Sequence, residues 1–217
     1  MTPTIVLCSG GLNSAVAAAL ARQEQPVAML FVRHGQPTAA REQEAFQALS
    51  EHFEAVEQLA VDLPSIGGTS ESEASGAAGR RHPPGLMSGL LSLGRMWAER
   101  LNSHRMAVGW REGPTSGADG PASAWPENIR EYLHLYNYLL GAGDADHTVE
   151  IFCPLVDLDP GDVVRLGHRL HVPYDRTWSC MTEGIRPCGV CWSCRMRDAG
   201  FRSAGLPDPM PVGELVS

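Results

Sequence analysis

Four of the six cysteines stand close together near the end of the chain, as Cys180-x7-Cys188-x2-Cys191-x2-Cys194. Four thiolates at such spacings can surround one ion tetrahedrally, and a site with no free position is structural rather than catalytic. Zinc is the ion this pattern suits. The chief rival is an iron–sulfur cluster, because C-x2-C-x2-C also opens the bacterial ferredoxin pattern. That pattern continues with a downstream cysteine, whereas here the fourth lies upstream. Disulfides or unrelated reduced thiols are the remaining readings, and a cytosolic setting favours a metal over both. Gly189 follows Cys188, where a tight turn is wanted. The eight histidines are scattered, with no HxxxH or HExxH pair.

The other chemical signal lies near the start. Ser9-Gly10-Gly11-Leu12-Asn13-Ser14 follows the β-branched run Thr4–Cys8 and precedes an alanine-rich helix over Ser14–Arg22. Glycines let the backbone turn tightly with its amides converging, and a helix start adds unpaired N–H groups and partial positive charge. Such a turn can hold a phosphate or pyrophosphate, and Cys8, Ser9, Gly10, Gly11, Asn13 and Ser14 are the candidate contacts. It is neither a Walker A loop nor a GxGxxG fingerprint. Taken alone, it is also readable as a purely structural turn.

The elements that must position these residues read as βαβ units. Strands are expected at Thr4–Cys8, Pro26–Val32, Ala55–Val61, Arg105–Gly109 and Val149–Phe152. Helices are expected at Ser14–Arg22, Ala39–Phe53, Gly85–Leu101, Glu127–Leu140 and Asp159–Leu170, the last with Pro160 in its first turn. The alternation predicts an α/β fold, a parallel five-stranded sheet flanked by helices. The Gly/Ser/Ala-rich stretch Pro64–Pro84 can bury almost nothing and reads as a lid or a disordered loop. Arg111–Ala124 is a second irregular region.

Composition narrows the partners. A 217-residue chain with 43% hydrophobic and 19% charged residues has enough apolar material for a real core. Its formal net charge of -8 and the lack of clustered Lys and Arg argue against a nucleic-acid partner. No stretch approaches the roughly 18–20 apolar residues needed to span a bilayer. Met1–Leu7 lacks the features of a signal peptide, so a cytoplasmic location is expected.

SGGxDS after a first strand is the signature of PP-loop ATPases, with Asn13 here in the Asp position. The carboxyl-terminal string is more specific: Thr177-Trp178-Ser179-Cys180, Pro187-Cys188-Gly189-Val190-Cys191-Trp192-Ser193-Cys194, Arg197, Gly200-Phe201, Ala204-Gly205 and Asp208-Pro209. With His34-Gly35-Gln36 after the second strand, Pro154-Leu155 and Val163–Gly167, it resembles the 7-cyano-7-deazaguanine synthase family of queuosine biosynthesis along nearly the whole chain. The resemblance implies a Rossmann-like sheet of the adenine nucleotide alpha hydrolase type over residues 1–172, and a small zinc subdomain over 173–217. It also implies a homodimer that uses ATP and Mg²⁺ to adenylate 7-carboxy-7-deazaguanine. Ammonia then gives the amide, and a second activation gives the nitrile.

Gln36 joins the candidate cofactor contacts on this basis, and Trp178 is expected to line the purine pocket or to pack beside the metal. The residues that carry out the chemistry are not identified by the sequence. Several positions depart from the family pattern, all toward lost charge. Asn13 can still cap a helix but lacks a carboxylate. Leu86 and Met87 stand for an Arg-Asn pair after Pro83-Pro84-Gly85, and Pro160 stands for a lysine. Asp119 or Trp125-Pro126-Glu127 are poor substitutes for a conserved aspartate and YPDC segment. Two outcomes follow: the family reaction, or a catalytically impaired paralogue that binds a nucleotide or a partner, or adenylates another carboxylate.

Overall fold

Strand β2 (Val27–Arg33) shows why this sequence builds a two-sided sheet. Side chains alternate faces along a strand. Val27, Met29 and Phe31 enter one apolar cluster, and Ala28, Leu30 and Val32 enter another. A strand buried on both faces belongs in the middle of a parallel sheet covered by helices on each side. The computed structural model, which describes residues 1–63, 85–112, 129–143 and 148–210, shows this arrangement.

The sheet runs in the order β3 (Glu57–Asp62), β2, β1 (Thr4–Leu7), β4 (Arg105–Val108), β5 (Glu150–Phe152), with every neighbouring pair parallel. One face carries α1 (Leu12–Glu24), α2 (Ala39–His52), α5 (Pro160–Arg169) and α6 (Trp192–Ala204). The other carries α3 (Leu86–Arg100) and α4 (Ile129–Gly143). The expected five-stranded parallel α/β sheet is therefore present. Among the described residues no helix is long and apolar enough to cross a membrane.

Boundaries differ from the sequence expectation in instructive places. Helix α1 starts at Leu12 rather than Ser14, because the chain is already helical once Gly11 ends the turn. Strand β3 starts at Glu57 rather than Ala55, since Glu54 adopts a left-handed conformation and Ala55 closes the end of α2 with a hydrogen bond to Ser50. Helix α6 was not expected at all. Beyond residue 172 the chain returns to the main core: Tyr174 and Phe201 sit in the cluster beneath α1, their rings edge to face at 5.1 Å. The Pro64–Pro84 stretch lies outside the described residues, as do residues 113–128 with Asp119 and Trp125-Pro126-Glu127.

Candidate functional site

At the carboxyl end of β1 the chain makes its glycine turn and enters α1. Gly10 has φ of +75°, and a Cβ there would lie 2.5 Å from the Glu42 carbonyl oxygen and 2.9 Å from Ala45 Cβ. The turn is therefore pressed onto α2 so closely that only glycine fits. Gly11 is the N-cap residue and offers no side-chain cap, so the first amides of α1 keep their donors for another acceptor. Ser14 Oγ donates back to the Gly11 carbonyl at 2.9 Å and lies 3.5 Å from Ser9 Oγ. Asn13 does not cap the helix, contrary to what its residue type suggested. It is the second helical residue, half-buried, past the position where a side chain can reach back to the free amides.

The turn also sits where the sheet changes direction. From β1 the chain crosses to one face, and α4, the element after β4, lies on the other, which leaves a crevice at the carboxyl edge between two adjacent strands. Gly109, directly after β4, closes this crevice from the other side. A Cβ there would lie 2.7 Å from the Asn13 carbonyl and the Ser14 nitrogen. The sequence reading took Gly109 only as a strand end, and nothing in its local pattern marks the contact.

Two expected contacts are committed elsewhere. Cys8 is buried, and desolvation pushes its thiol up to about 11, so it is a neutral core side chain rather than a nucleophile. Its Sγ lies 3.8 Å from Ser14 Oγ, beneath the turn. Gln36 folds its amide into the β2–α2 connection. Its Oε1 accepts from the His34 amide at 2.7 Å, and its Nε2 donates to the Val32 carbonyl at 3.2 Å and to Glu42 at 2.9 Å. Thr38 donates to the other Glu42 oxygen at 2.5 Å. Gln36 thus holds the start of α2, the helix on which Gly10 rests.

The four clustered cysteines converge as expected, their sulfurs all within 4.8 Å of one another. A tetrahedral ion with Zn–S bonds of about 2.3 Å needs sulfurs about 3.8 Å apart, so the donor set fits one such ion. A multi-iron cluster would force its thiolates much further apart. All four cysteines are free of disulfides. Backbone amides donate to the sulfurs: Cys188 N to Cys180 at 3.3 Å, Cys191 N to Cys188 at 3.3 Å and Cys194 N to Cys191 at 3.4 Å. The third of these makes Cys191 the N-cap of α6. Thiols this close compete for ionisation. Hydrogen bonds from Cys191 and Cys194 hold the Cys180 thiol down, while the bond to Cys180 drives Cys194 up. A divalent cation would remove that competition by favouring the thiolate at every position.

The knot is fastened to the turn. Trp178, two residues before Cys180, donates its backbone amide to the Gly10 carbonyl at 2.8 Å and packs against Ala45, Cys180 and Cys194. Its indole therefore lies beside the knot, beneath the Arg41 guanidinium at 5.9 Å. Arg41 also donates to the Gly184 carbonyl at 3.1 Å, across an open cleft of about 330 Å³ between α2 and the cysteine loop. Arg197, expected from the sequence only as part of the carboxyl-terminal motif, is the internal clamp of this region. It forms a two-pronged pair with Asp208 at 2.6 and 2.8 Å, and donates to Thr177 Oγ1 at 2.7 Å and the Tyr174 carbonyl at 2.9 Å.

The residues expected to depart from the family pattern have definite places. Leu86 and Met87 open α3 and are buried, with Met87 in one cluster with Leu91, Ile129 and Leu133. Pro160 occupies the first turn of α5 behind the Asp159 cap, whose carboxylate accepts the Asp162 amide at 2.7 Å. Pro83 and Pro84 lie outside the described residues.

Comparison with known proteins adds the chemistry that geometry leaves open. The family described as "Queuosine biosynthesis protein QueC" matches residues 3–205. A 7-cyano-7-deazaguanine synthase from Koribacter versatilis is 34% identical over 95% of this chain and 92% of its own length. The synthase from Parasynechococcus marenigrum is 34% identical over 94% of this chain and 95% of its own. That from Methanothrix thermoacetophila is 32% identical over 96% and 98%.

Proposed function

We propose, since the chain belongs to the QueC family of queuosine biosynthesis proteins, that it is a 7-cyano-7-deazaguanine synthase. In this reading it converts 7-carboxy-7-deazaguanine and ammonia to the nitrile, with ATP cleaved to AMP and pyrophosphate. The observation that carries the reading is the whole-length likeness to synthases, which spans both the glycine turn and the cysteine knot. The geometry supports it. Adenylation converts a poor leaving group into a good one and releases pyrophosphate, so the site must stabilise anionic oxygens at the carboxyl edge of the sheet. The amides at the start of α1, bracketed by Gly10 and Gly109, offer such donors without a side chain in the way.

The backbone of Ser9, Gly10, Gly11, Asn13 and Ser14 would cradle the phosphates, and Ser14 Oγ would orient the turn through Gly11. Mg²⁺, when bound with ATP, would neutralise charge on the departing pyrophosphate. Cys180, Cys188, Cys191 and Cys194 would hold a structural Zn²⁺ whose role is to fix Trp178, and through it the Gly10 carbonyl. Residues 173–217 would act as a zinc subdomain, the active species would be a homodimer, and the reaction would run in the cytoplasm. The test is a turnover assay with zinc-loaded protein, Mg·ATP, ammonium and 7-carboxy-7-deazaguanine. AMP with the nitrile product is expected. A folded, zinc-loaded sample that yields neither would overturn the reading.

A further inference from the structure

Two residues beyond Gly109 the chain carries Arg111 over the carboxyl edge of the sheet. The path there is fixed. The Glu112 amide donates to the Val156 carbonyl at 3.1 Å, and Cys153 Sγ donates to the Trp110 carbonyl at 2.8 Å. These bonds carry the β4–β5 pairing past both strand ends. Arg111 therefore emerges between the start of α1, which Gly109 touches, and the start of α5, where its own Nη1 donates to the Leu158 carbonyl at 2.9 Å.

The guanidinium forms no ion pair among the described residues, although the Asp159 carboxylate acts on it electrostatically. Among the described residues its Nε is sealed from solvent and has no hydrogen-bond partner, and no carboxylate pairs with it. Arg165 and Arg197, which flank the same helices, each hold a carboxylate at 2.6 Å. Burial lowers the Arg111 pKa, with Asp159 opposing that shift from a distance. A half-buried cation with an unused donor is a net cost to folding unless something else fills it. The five donors of an arginine form a fork that matches carboxylate and phosphate oxygens.

We propose that Arg111 binds an oxyanion of the ligand in the crevice between the starts of α1 and α5, facing the free amides of the glycine turn. The identity of that ligand rests on the synthase reading, in which the phosphate chain of ATP and the carboxylate of the deazapurine both present such an oxygen. Arg111 is a binding residue supplied from the end of β4, opposite the backbone donors of α1.

The test uses the full-length zinc-loaded protein and its Arg111→Gln and Arg111→Lys variants. Calorimetry measures binding of inorganic pyrophosphate, ATP and 7-carboxy-7-deazaguanine, thermal unfolding measures stability, and nitrile formation is followed in parallel. Arg111→Gln should weaken binding of one class of ligand about ten- to a hundredfold, the loss expected for hydrogen bonds to a charged group. Arg111→Lys should restore part of it, and the melting temperature should hold or rise in both variants. Loss confined to pyrophosphate and ATP places the residue on the phosphate chain, and loss confined to the carboxylate places it on the acceptor. Unchanged binding of all three ligands, or a lower melting temperature with no selective binding loss, would overturn the proposal. The two readings fail separately. Nitrile formation with unchanged binding in Arg111→Gln sinks only the role of Arg111. A selective binding loss in a protein that makes no nitrile sinks only the synthase reading.

Discussion

The two walls of the carboxyl-edge crevice are held by different physics. On the α1–α2 side, a chain of specific polar contacts runs from the cysteine knot through the Trp178 amide to Gly10, and from Gln36 and Thr38 through Glu42 to the helix beneath it. Each link depends on a particular atom at a particular distance. On the α3–α4 side, Met87, Leu91, Ile129 and Leu133 are simply buried together, and Leu86 is buried at the start of α3. Apolar packing tolerates many sequences of similar volume, whereas a hydrogen-bonded relay does not. The Leu86 and Met87 positions, where the resemblance leads one to expect a polar pair, lie on the apolar wall.

The largest effect should follow from the knot. Structural zinc sites contribute about 10–16 kcal/mol of apparent binding energy in small zinc domains, and that energy is available only in the folded state. Stripping the metal with a chelator, or Cys191→Ser, should therefore release the first wall while leaving much of the second in place. Hydrogen exchange should show lost protection at Trp178, along α6 and at the glycine turn, with the amides of α3 and β4 less affected. Serine at position 191 keeps a side-chain oxygen to cap α6, so Cys191→Ser isolates the loss of the metal ligand. Equal loss of protection on both walls, or full zinc content with an unchanged melting temperature in Cys191→Ser, would erase the distinction.

The difference between the walls also explains what was legible in the sequence. The unbroken apolar run ending at Val32 reads directly as a buried strand, and the cysteine spacing as a convergent four-sulfur cluster. The Gly109 contact and the Trp178 amide bond to Gly10 were not legible, because both act through backbone atoms against residues far away in the chain. Gln36 is expected at the ligand only from the family resemblance of His34-Gly35-Gln36, yet its amide is consumed by His34, Val32 and Glu42 nearby. Helix α6 was hidden by its own ligands: cysteine is an uncommon cap, so Cys191 and Cys194 were read as metal ligands alone. The αL glycine that ends this helix, Gly205, was the available signal.

An intermediate effect tests the second wall. Met87→Asn removes a buried apolar side chain and buries an amide in its place. The cost should be about 2–4 kcal/mol, combining lost packing with an unsatisfied polar group. In a protein of this size that corresponds to a fall of roughly 5–15 °C in melting temperature. Zinc content and the protection of the Trp178 amide should not change, since the two walls share no side-chain contact through Met87. A Met87→Asn protein with wild-type stability would show that the wall still accepts a polar residue and is not committed to apolar packing.

The smallest stability effect, and the finest test of where the walls meet, is Asn13→Asp. Asn13 is the second residue of α1, half-buried, in a first turn that contains no acidic residue. A carboxylate there faces the positive end of the helix and should stabilise the protein by about 0.3–1 kcal/mol. Its effect on ATP should depend on the cation. Without Mg²⁺ the new charge repels the phosphates, and affinity should fall. With Mg²⁺ the carboxylate can share the ion, and affinity should equal or exceed that of the wild type. Calorimetric titration of ATP with and without Mg²⁺ reads this divergence directly. If Asn13→Asp left the Mg²⁺ dependence of ATP binding unchanged, residue 13 would not face the phosphates. The free amides of α1 and the Arg111 guanidinium would then have to act on a ligand seated nearer β4 than β1.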